Sequence, residues 1–330
     1  MLTTTVAGRT WNFSHAIGRN AAAGNGFTQP VDVAAGPEGI LYVLSRGNDG
    51  IGGVTAQNKR IGKLTIDQEF IGDFARGILT WPAGLAVDAN GNIYCSEEFE
   101  DRIYIFNEDG EEVGSWGESG SDEGQIKAPS GLGFDSDNNL LVADAHNNRV
   151  QKFTAGGQYL ATIGEGQLNS PWGIGLDSDD NIYVADWGNN CVRKFSPDGD
   201  LLLTFGGSDL DNGGDLDHPA SVAVDSEGDV YVSDWGNKRI QIYEPNGSII
   251  TALHGDAVEF SNWAAEVINS NPDAQKAYRR VKDRTPLGLF ERPVGLTIDS
   301  EDRLIVTDST RGRLQIYAKE KDYMDPQFNL

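Results

Sequence analysis

The chain has 330 residues, with 50 Asp and Glu against 26 Lys and Arg, which gives a net charge of −24 at pH 7. This charge argues against nucleic acids and anionic membranes as partners, because both would repel the protein. The 41 glycines and the 7 Trp, 10 Tyr and 13 Phe residues are typical of strands joined by turns rather than of helices.

Targeting signals are not evident in the sequence. No apolar run approaches the roughly 18 residues that a membrane helix needs, and the N-terminal segment MLTTTVAGRTWNF lacks the pattern of a signal peptide. Cys95 and Cys191 lie in different repeats and are too few for a disulfide framework. We therefore expect a soluble, cytoplasmic monomer with free thiols; a mature secreted protein whose signal has been removed is the alternative.

A short unit recurs along the chain, and each copy begins at a proline. PSGLGFDSDNNLLVADAHNNRVQKF and PWGIGLDSDDNIYVADWGNNCVRKF are two clear copies. The six copies begin at Pro30, Pro82, Pro129, Pro171, Pro219 and Pro293. The first of them is degenerate. Each of the other five has an aspartate six residues after the proline: Asp88, Asp135, Asp177, Asp225 and Asp299.

Each unit predicts four strands. In the third copy the segments GLGF, LLVAD, RVQKF and YLATIG alternate with turns rich in Asp, Asn, Pro and Gly. A repeat of four short antiparallel strands is typical of one blade of a β-propeller.

The pattern resembles the NHL repeat, whose signature has the form P-x-G-I-A-V-D-x-x-G-N-I-Y-V-A-D-x-x-N-x-R-V-Q-x-F. Six copies imply, by this resemblance, an all-β protein: a six-bladed β-propeller that forms a single domain over residues 1–330. The last copy lacks a fourth strand after Tyr317, whereas WNFSHAIG near the N-terminus has the pattern of one. We therefore expect residues 11–18 to close the ring and remove exposed sheet edges.

Two insertions interrupt the repeat. One, at about 46–59, separates the second and third strands of the first unit, and the other, at about 256–290, separates the fifth and sixth units. In a propeller, turns between second and third strands lie on the same face as the connections between blades. We call this the upper face and expect both insertions there, since elaborated loops on a rigid scaffold are the usual place for binding sites.

The second insertion predicts two helices with a break at Asn271-Pro272. Its latter part contains a basic cluster: Lys276, Arg279, Arg280, Lys282 and Arg284. These cations either hold the insertion against the acidic rim or bind an anionic ligand, for which Arg279 and Arg280 are our candidates.

An aspartate ends the second strand of four units, and in three of them an arginine follows five residues later. Repetition on successive blades indicates a structural pair. The departures from this pattern are better functional candidates: Arg46 beside Ser45, Glu97, and Cys191 in place of arginine. The DSDNN turns lack the spacing of an EF-hand, so we interpret them as hairpin turns rather than calcium loops.

The channel mouth has one unusual residue. Two positions after the proline, five units have Gly or Ser, whereas the first has Asp32. This carboxylate either caps backbone amides or binds a metal or a ligand amine. Nearby positions on the upper face carry His146, Trp187 and Trp235, with Trp172 beside the channel. Such rings either stack a sugar, peptide or cation or pack against the inserted helices.

A peptidyl-hydroxyglycine lyase is similar in fold and holds zinc through histidines from several blades, a resemblance that implies a metal at the channel mouth. The chain has four histidines: His15, His146, His218 and His254. None directly follows a repeat proline, so that zinc site is not evident here. We expect only His146 and His218 to face the channel, and with Asp32 they are the candidate metal ligands.

Two hypotheses follow. In the first, the protein is a non-catalytic scaffold that recognises a small molecule, peptide, glycan or protein through the upper face. In the second, it is a lyase or hydrolase with a divalent metal, zinc or calcium, at the channel mouth. Asp32, His146 and His218 would then be ligands or bases, and Arg46 or an arginine of the insertion would hold a substrate anion. Fold alone does not decide between them.

Overall fold

Six antiparallel sheets are arranged in a ring, each built from one repeat. The structure is a computed structural model and describes residues 3–6, 8–47, 58–207 and 214–320. Before the first blade lie β1 (Thr3–Val6) and β2 (Arg9–Ile17). The first blade contains β3 (Pro30–Ala35), β4 (Ile40–Ser45), β5 (Arg60–Thr65) and β6 (Phe70–Phe74). The second contains β7 (Pro82–Val87), β8 (Ile93–Glu97), β9 (Arg102–Phe106) and β10 (Glu112–Trp116).

The remaining blades repeat this order from the channel outward. The third contains β11 (Pro129–Phe134), β12 (Asn139–Asp144), β13 (Arg149–Thr154) and β14 (Tyr159–Ile163). The fourth contains β15 (Pro171–Leu176), β16 (Ile182–Asp186), β17 (Cys191–Phe195) and β18 (Leu201–Phe205). The fifth contains β19 (Pro219–Val224), β20 (Val230–Asp234), β21 (Arg239–Tyr243) and β22 (Ile249–Leu253). The sixth contains β23 (Pro293–Ile298), β24 (Arg303–Asp308) and β25 (Arg313–Glu320).

The N-terminal strand closes the ring, as the sequence predicts. β2 pairs antiparallel with β25, from Thr10 opposite Glu320 to Ile17 opposite Leu314. β1 pairs with β2 and gives this sheet a fifth, outermost strand that the sequence analysis did not predict. The two ends of the described chain therefore meet in one blade, where β2 covers the outer edge of β25.

The repeated turn residues act as the sequence predicts. In the third blade, Asp135 accepts the backbone N–H of Asn139 at 2.7 Å, and Asp225 repeats this with Asp229 at 3.0 Å in the fifth. Apolar cores lie between successive blades; in one of them Leu141, Val184 and Phe195 pack together. Cys95 and Cys191 are buried free thiols in the structure.

The second insertion is helical, with the predicted break. It contains α1 (Asn262–Ser270), α2 (Pro272–Arg279) and α3 (Thr285–Gly288). Asn271 caps α2, because its side chain accepts the N–H groups of Asp273 and Ala274. Most of the first insertion, residues 48–57, lies outside the described residues.

Helix α1 packs on the outer wall where the sixth blade meets the first. The indole N–H of Trp263 donates to the carbonyl of Gln68 at 2.7 Å, and its ring contacts those of Phe27 and Phe70. The Ser261 hydroxyl donates to the carbonyl of Gly18 at 2.5 Å. These contacts anchor the insertion to the propeller through buried groups. None of the helices in the described ranges is long and apolar enough to cross a membrane.

Candidate functional site on the upper face

The turns between second and third strands lie against the connections between blades. In the third blade the N–H of His146 donates to the carbonyl of Lys127 at 3.2 Å, and in the fourth Gly188 donates to Asn169 at 2.9 Å. Inner strands therefore begin beside these turns, and side chains from both positions share the rim of the channel.

The repeated aspartates are structural, as predicted. Asp144 accepts the N–H of Lys127 at 2.7 Å and pairs with Arg149 at 2.9 Å, and Asp234 pairs with Arg239 at 2.7 Å. The carboxylate thus ties the connection between blades to the turn beside it.

Two of the departures from this pattern are structural replacements. Where Cys191 takes the place of arginine, Arg193 donates to Asp186 at 2.8 Å instead. In the second blade Glu97 accepts backbone N–H groups of Trp81, at 2.6 Å, and of Phe99, at 3.1 Å. Burial raises the pKa of Glu97, and these amide donors oppose that shift. Glu97 and Cys191 are therefore weaker functional candidates than the sequence indicates.

Arg46 forms a bidentate ion pair with Glu98 of the next blade. Its two terminal nitrogens each lie 2.9 Å from a Glu98 carboxylate oxygen. Both side chains are partly buried, so the pair has a defined geometry at the rim. The sequence analysis singled out Arg46 but missed Glu98, because the two residues are 52 positions apart.

Four aromatic rings form a continuous cluster on this face, which we call the aromatic arc: Trp172, Trp187, His218 and Trp235. The ring centroid of Trp187 lies 5.4 Å from that of Trp172, 5.2 Å from Trp235 and 4.9 Å from His218. Each residue is half-buried, so part of its surface faces solvent. His218 also contacts Trp235, and their ring centroids lie 6.1 Å apart.

Two polar neighbours of the arc went unnoticed in the sequence. The guanidinium of Arg292 lies 5.0 Å from the ring centroid of Trp235. The Nδ1 atom of His218 lies 2.5 Å from a carboxylate oxygen of Asp217. Both His218 and Arg292 directly precede a repeat proline. Because His218 was already a candidate, comparing this position across the repeats would have identified Arg292 as well.

A small cavity adjoins the arc, and we call it the side pocket. It has a volume of about 170 Å³, and its lining includes Glu98, His146, Ser170, Trp172 and Trp187. His146 is exposed and contributes to this pocket rather than to the channel. The structure therefore brings His146 next to two of the candidate tryptophans.

Asp32 lies deeper, inside the central channel. The channel cavity, of about 290 Å³, is lined by the six inner strands and includes Asp32 and Trp172. One Asp32 oxygen accepts the N–H of Val33 at 2.9 Å, and the other accepts that of Leu85 at 2.7 Å. Amide capping is thus the geometry present. Burial raises the pKa of Asp32 to about 7, although both amide donors oppose that shift.

The candidate metal ligands do not come together. Within the described ranges no three His, Cys, Asp or Glu side chains are arranged to hold a metal ion. His146 faces the side pocket, His218 pairs with Asp217, and Asp32 holds two backbone amides. These residues do not fit the zinc centre that the resemblance to the lyase implies, which requires about three convergent ligands.

The basic cluster lies on the second insertion, at the end of α2 and after it. Arg279 and Arg280 are exposed at the end of α2. In the cluster, the ion pair of Arg284 with Glu259, at 3.8 Å, stays within the insertion. Trp263 and Ser261, rather than these cations, therefore anchor the insertion.

Comparison with known proteins agrees with this architecture. A model of the NHL repeat matches residues 128–153, 168–195, 216–243 and 290–317. These ranges correspond to the third to sixth blades.

A Caenorhabditis elegans protein described as a probable peptidyl-alpha-hydroxyglycine alpha-amidating lyase is 29% identical over 111 residues. This match spans 32% of each protein, so the chain aligns with about a third of that relative's length.

Two solved structures have similar folds. Virginiamycin B lyase from Staphylococcus aureus is 14% identical, with a TM-score of 0.58 over 95% of this chain and 87% of that one. A gluconolactonase from Xanthomonas campestris is 14% identical, with a TM-score of 0.61 over 94% of this chain and 99% of that one. At these identities the likeness concerns the fold alone. With the ring of six sheets closed by an N-terminal strand, the matched repeats identify the chain as a six-bladed β-propeller that contains NHL repeats.

Proposed function

We propose that the protein is a non-catalytic recognition scaffold that binds a peptide through the aromatic arc and the side pocket. The observation that carries this proposal is the arc, in which three tryptophans and a histidine contact one another while each stays half-exposed. Tryptophan supplies a large, rigid contact area, and binding energy at interfaces is concentrated on such residues.

The size of the side pocket limits what can enter it. Its volume of about 170 Å³ is below the roughly 300 Å³ at which sites for whole small molecules begin. It suits one side chain or one sugar ring, with the rest of the ligand on the arc. A peptide can insert one side chain into the side pocket while its neighbouring residues lie on the aromatic arc.

Charge favours a neutral or cationic ligand. The chain carries −24 at pH 7, which attracts cations over long range. In the side pocket, the carboxylate of Glu98 is already paired with Arg46, so it does not require a cationic group from the ligand. The relative from Caenorhabditis elegans is named for a peptidyl substrate, which supports a peptide over a sugar.

The proposal is tested by selecting peptides from a random phage-displayed library on the immobilised full chain. Enriched peptides are synthesised, and their affinity is measured by calorimetry against the wild type and a Trp172→Ala, Trp187→Ala double variant. We expect the double variant to weaken binding by 100-fold or more, since truncating one interface tryptophan costs about 2–4 kcal/mol.

Trp81→Ala is the matched control, because Trp81 is an exposed tryptophan at the start of the second blade that meets Phe99 edge to face and lies outside the arc. Its affinity for the selected peptides should equal that of the wild type. Failure to enrich any peptide, or equal binding to the double variant, would overturn the proposal. Binding of glycans but not peptides on an array would overturn the choice of ligand.

A second candidate function is a lyase at the channel mouth. Asp32 favours it, because a carboxyl group with a pKa of about 7 can exchange a proton near neutral pH, and a relative bears a lyase name. The test is release of peptide amide from a peptidyl-α-hydroxyglycine, together with metal analysis of the purified protein. Activity that Asp32→Asn abolishes would favour this function, whereas no release under any added divalent metal would remove it.

A further inference from the structure

A third cavity lies at the rim of the upper face, where the insertion meets the sixth blade. We call it the rim cavity. Its volume is about 470 Å³, within the range of roughly 300–1,000 Å³ that small-molecule sites occupy. Its walls come from the end of β2, the insertion and the turn after β24, and it shares no lining residue with the channel or the side pocket.

One wall of the rim cavity is apolar. Val258, Phe260, Ala264 and Leu287 line it. Phe260 is 38% exposed although its ring packs at a tilt against Tyr278, with the two centroids 4.4 Å apart. An apolar body placed against this wall would be removed from water, which stabilises binding.

The lining of the rim cavity also includes three arginines: Arg19, Arg311 and Arg313. Arg313 is fully engaged: it pairs with Asp308 at 3.0 Å and also donates to the carbonyls of Ala257 and Leu287, at 3.1 and 2.8 Å. Arg313 therefore has a structural role in the cavity wall, and Arg19 and Arg311 are the arginines that can bind a ligand.

Arg19 and Arg311 have unused donors. Arg19 donates to the Asn25 side chain at 3.1 Å and has no carboxylate partner among the described residues. Arg311 donates to the carbonyl of Pro286 at 2.8 Å, and its contacts with Glu291 and Asp308 are longer, 3.5 and 3.8 Å. The Nε atoms of both arginines are buried without a hydrogen-bond partner in the described structure, a costly condition for a charged group.

Two carboxylates also line the cavity, but neither neutralises Arg19. Glu291 is held by Lys238 at 2.9 Å, and the adjacent lysine lowers its pKa. The Glu259 side chain is 75% exposed and lies 3.8 Å from Arg284. The uncompensated charge of the rim cavity is therefore positive, in a chain that is strongly negative as a whole.

We propose that the rim cavity binds a small organic anion, with its acidic group at Arg19 and Arg311 and its apolar body against Val258, Phe260 and Leu287. Charge-assisted hydrogen bonds from guanidinium groups suit a carboxylate or a sulfonate. This site is separate from the aromatic arc, so the test of anion binding does not depend on whether the arc binds a peptide.

The test uses 8-anilinonaphthalene-1-sulfonate, an aromatic anion whose fluorescence rises on binding, and its uncharged analogue N-phenyl-1-naphthylamine. We expect the sulfonate to bind the full chain saturably at one site and the neutral analogue to bind at least about tenfold more weakly. An Arg19→Gln, Arg311→Gln double variant should lose about tenfold or more in affinity for the sulfonate and none for the neutral probe.

Arg280→Gln is the matched control, since Arg280 is an exposed arginine of the same insertion outside the cavity. Equal loss in this control, equal affinity for the two probes, or no saturable binding would each overturn the proposal. Should the double variant unfold, Ala264→Leu narrows the cavity without touching an arginine, and unchanged binding there overturns the proposal as well. Loss of binding in Trp187→Ala would place the probe on the aromatic arc instead.

Discussion

The carboxylate of Asp32, on the inner strand of the first blade, accepts the backbone N–H of Leu85 on the inner strand of the second at 2.7 Å. The other repeats have Gly or Ser at the Asp32 position. One side chain therefore bridges two blades from within the channel. Burial within the channel also raises the pKa of Asp32 to about 7.

Asp32 should make stability depend on pH. Its pKa is about 7 in the folded protein against an ordinary value of 3.8. As pH rises from 4 to 7, the unfolded chain releases this proton while the folded chain retains it, so the wild type loses stability relative to Asp32→Asn. The loss is at most about 4 kcal/mol, and it is complete above the folded pKa. Urea unfolding of both proteins between pH 4 and pH 8 measures it; a constant difference would contradict the raised pKa.

Gly84→Ala should destabilise the ring. A Cβ at this position would lie 2.4 Å from the carbonyl oxygen of Ser130 on the next inner strand. Relief requires the two blades to move apart, and such overpacking costs about 1–3 kcal/mol. Gly72→Ala is the control, since a Cβ there meets no atom within 4 Å. Thermal unfolding should show a lower Tm for the first variant only, and equal Tm values would mean that the blades can separate freely.

Lys319→Met should weaken the contact between the sixth and fifth blades. The Lys319 ammonium lies 2.7 Å from Asp225, 2.7 Å from Asp229 and 2.6 Å from Glu227, and its side chain is 3% exposed. Its removal takes the cation away from buried Asp225 and leaves buried Asp229 paired with Arg9 alone, and breaking such a buried pair costs about 3–5 kcal/mol.

Lys282→Met removes an exposed lysine with the same change in charge and serves as its control. Urea unfolding should show a lower midpoint for Lys319→Met alone. Equal midpoints would show that the carboxylates find water or another partner.

Trp263→Ala should release the insertion from the propeller. Trp263 is buried, donates to Gln68 and contacts Phe27 and Phe70. Removing such a side chain costs about 3–5 kcal/mol, and much of this loss should appear as local opening. Hydrogen exchange followed by mass spectrometry should show faster exchange over 256–290 and unchanged exchange in the third and fourth blades. Val267→Ala, at a residue 45% exposed, is the control; acceleration spread evenly over all blades would contradict this assignment.

The candidate site was only partly predictable. The sequence places Trp187 and Trp235 on equivalent turns of neighbouring blades, and the structure shows that the rings touch. The sequence does not reveal that Arg46 reaches Glu98 or that His146 belongs to the side pocket, both of which the structure shows. Those contacts depend on rotamers and on the spacing between blades, which no residue within one repeat specifies.

The repeat pattern is enough to predict the number of blades, the order of strands, the ring closure by residues 11–18 and the break between the helices of the insertion. These features follow from short-range chemistry: alternation along a strand, turn residues at fixed offsets and helix caps. The folded structure was needed to show that α1 packs on the outer wall through Trp263, that the described metal candidates stay apart and that Arg19 and Arg311 share a cavity. Arg19 and Arg311 are almost the whole chain apart in sequence, and closing the ring is what brings them together.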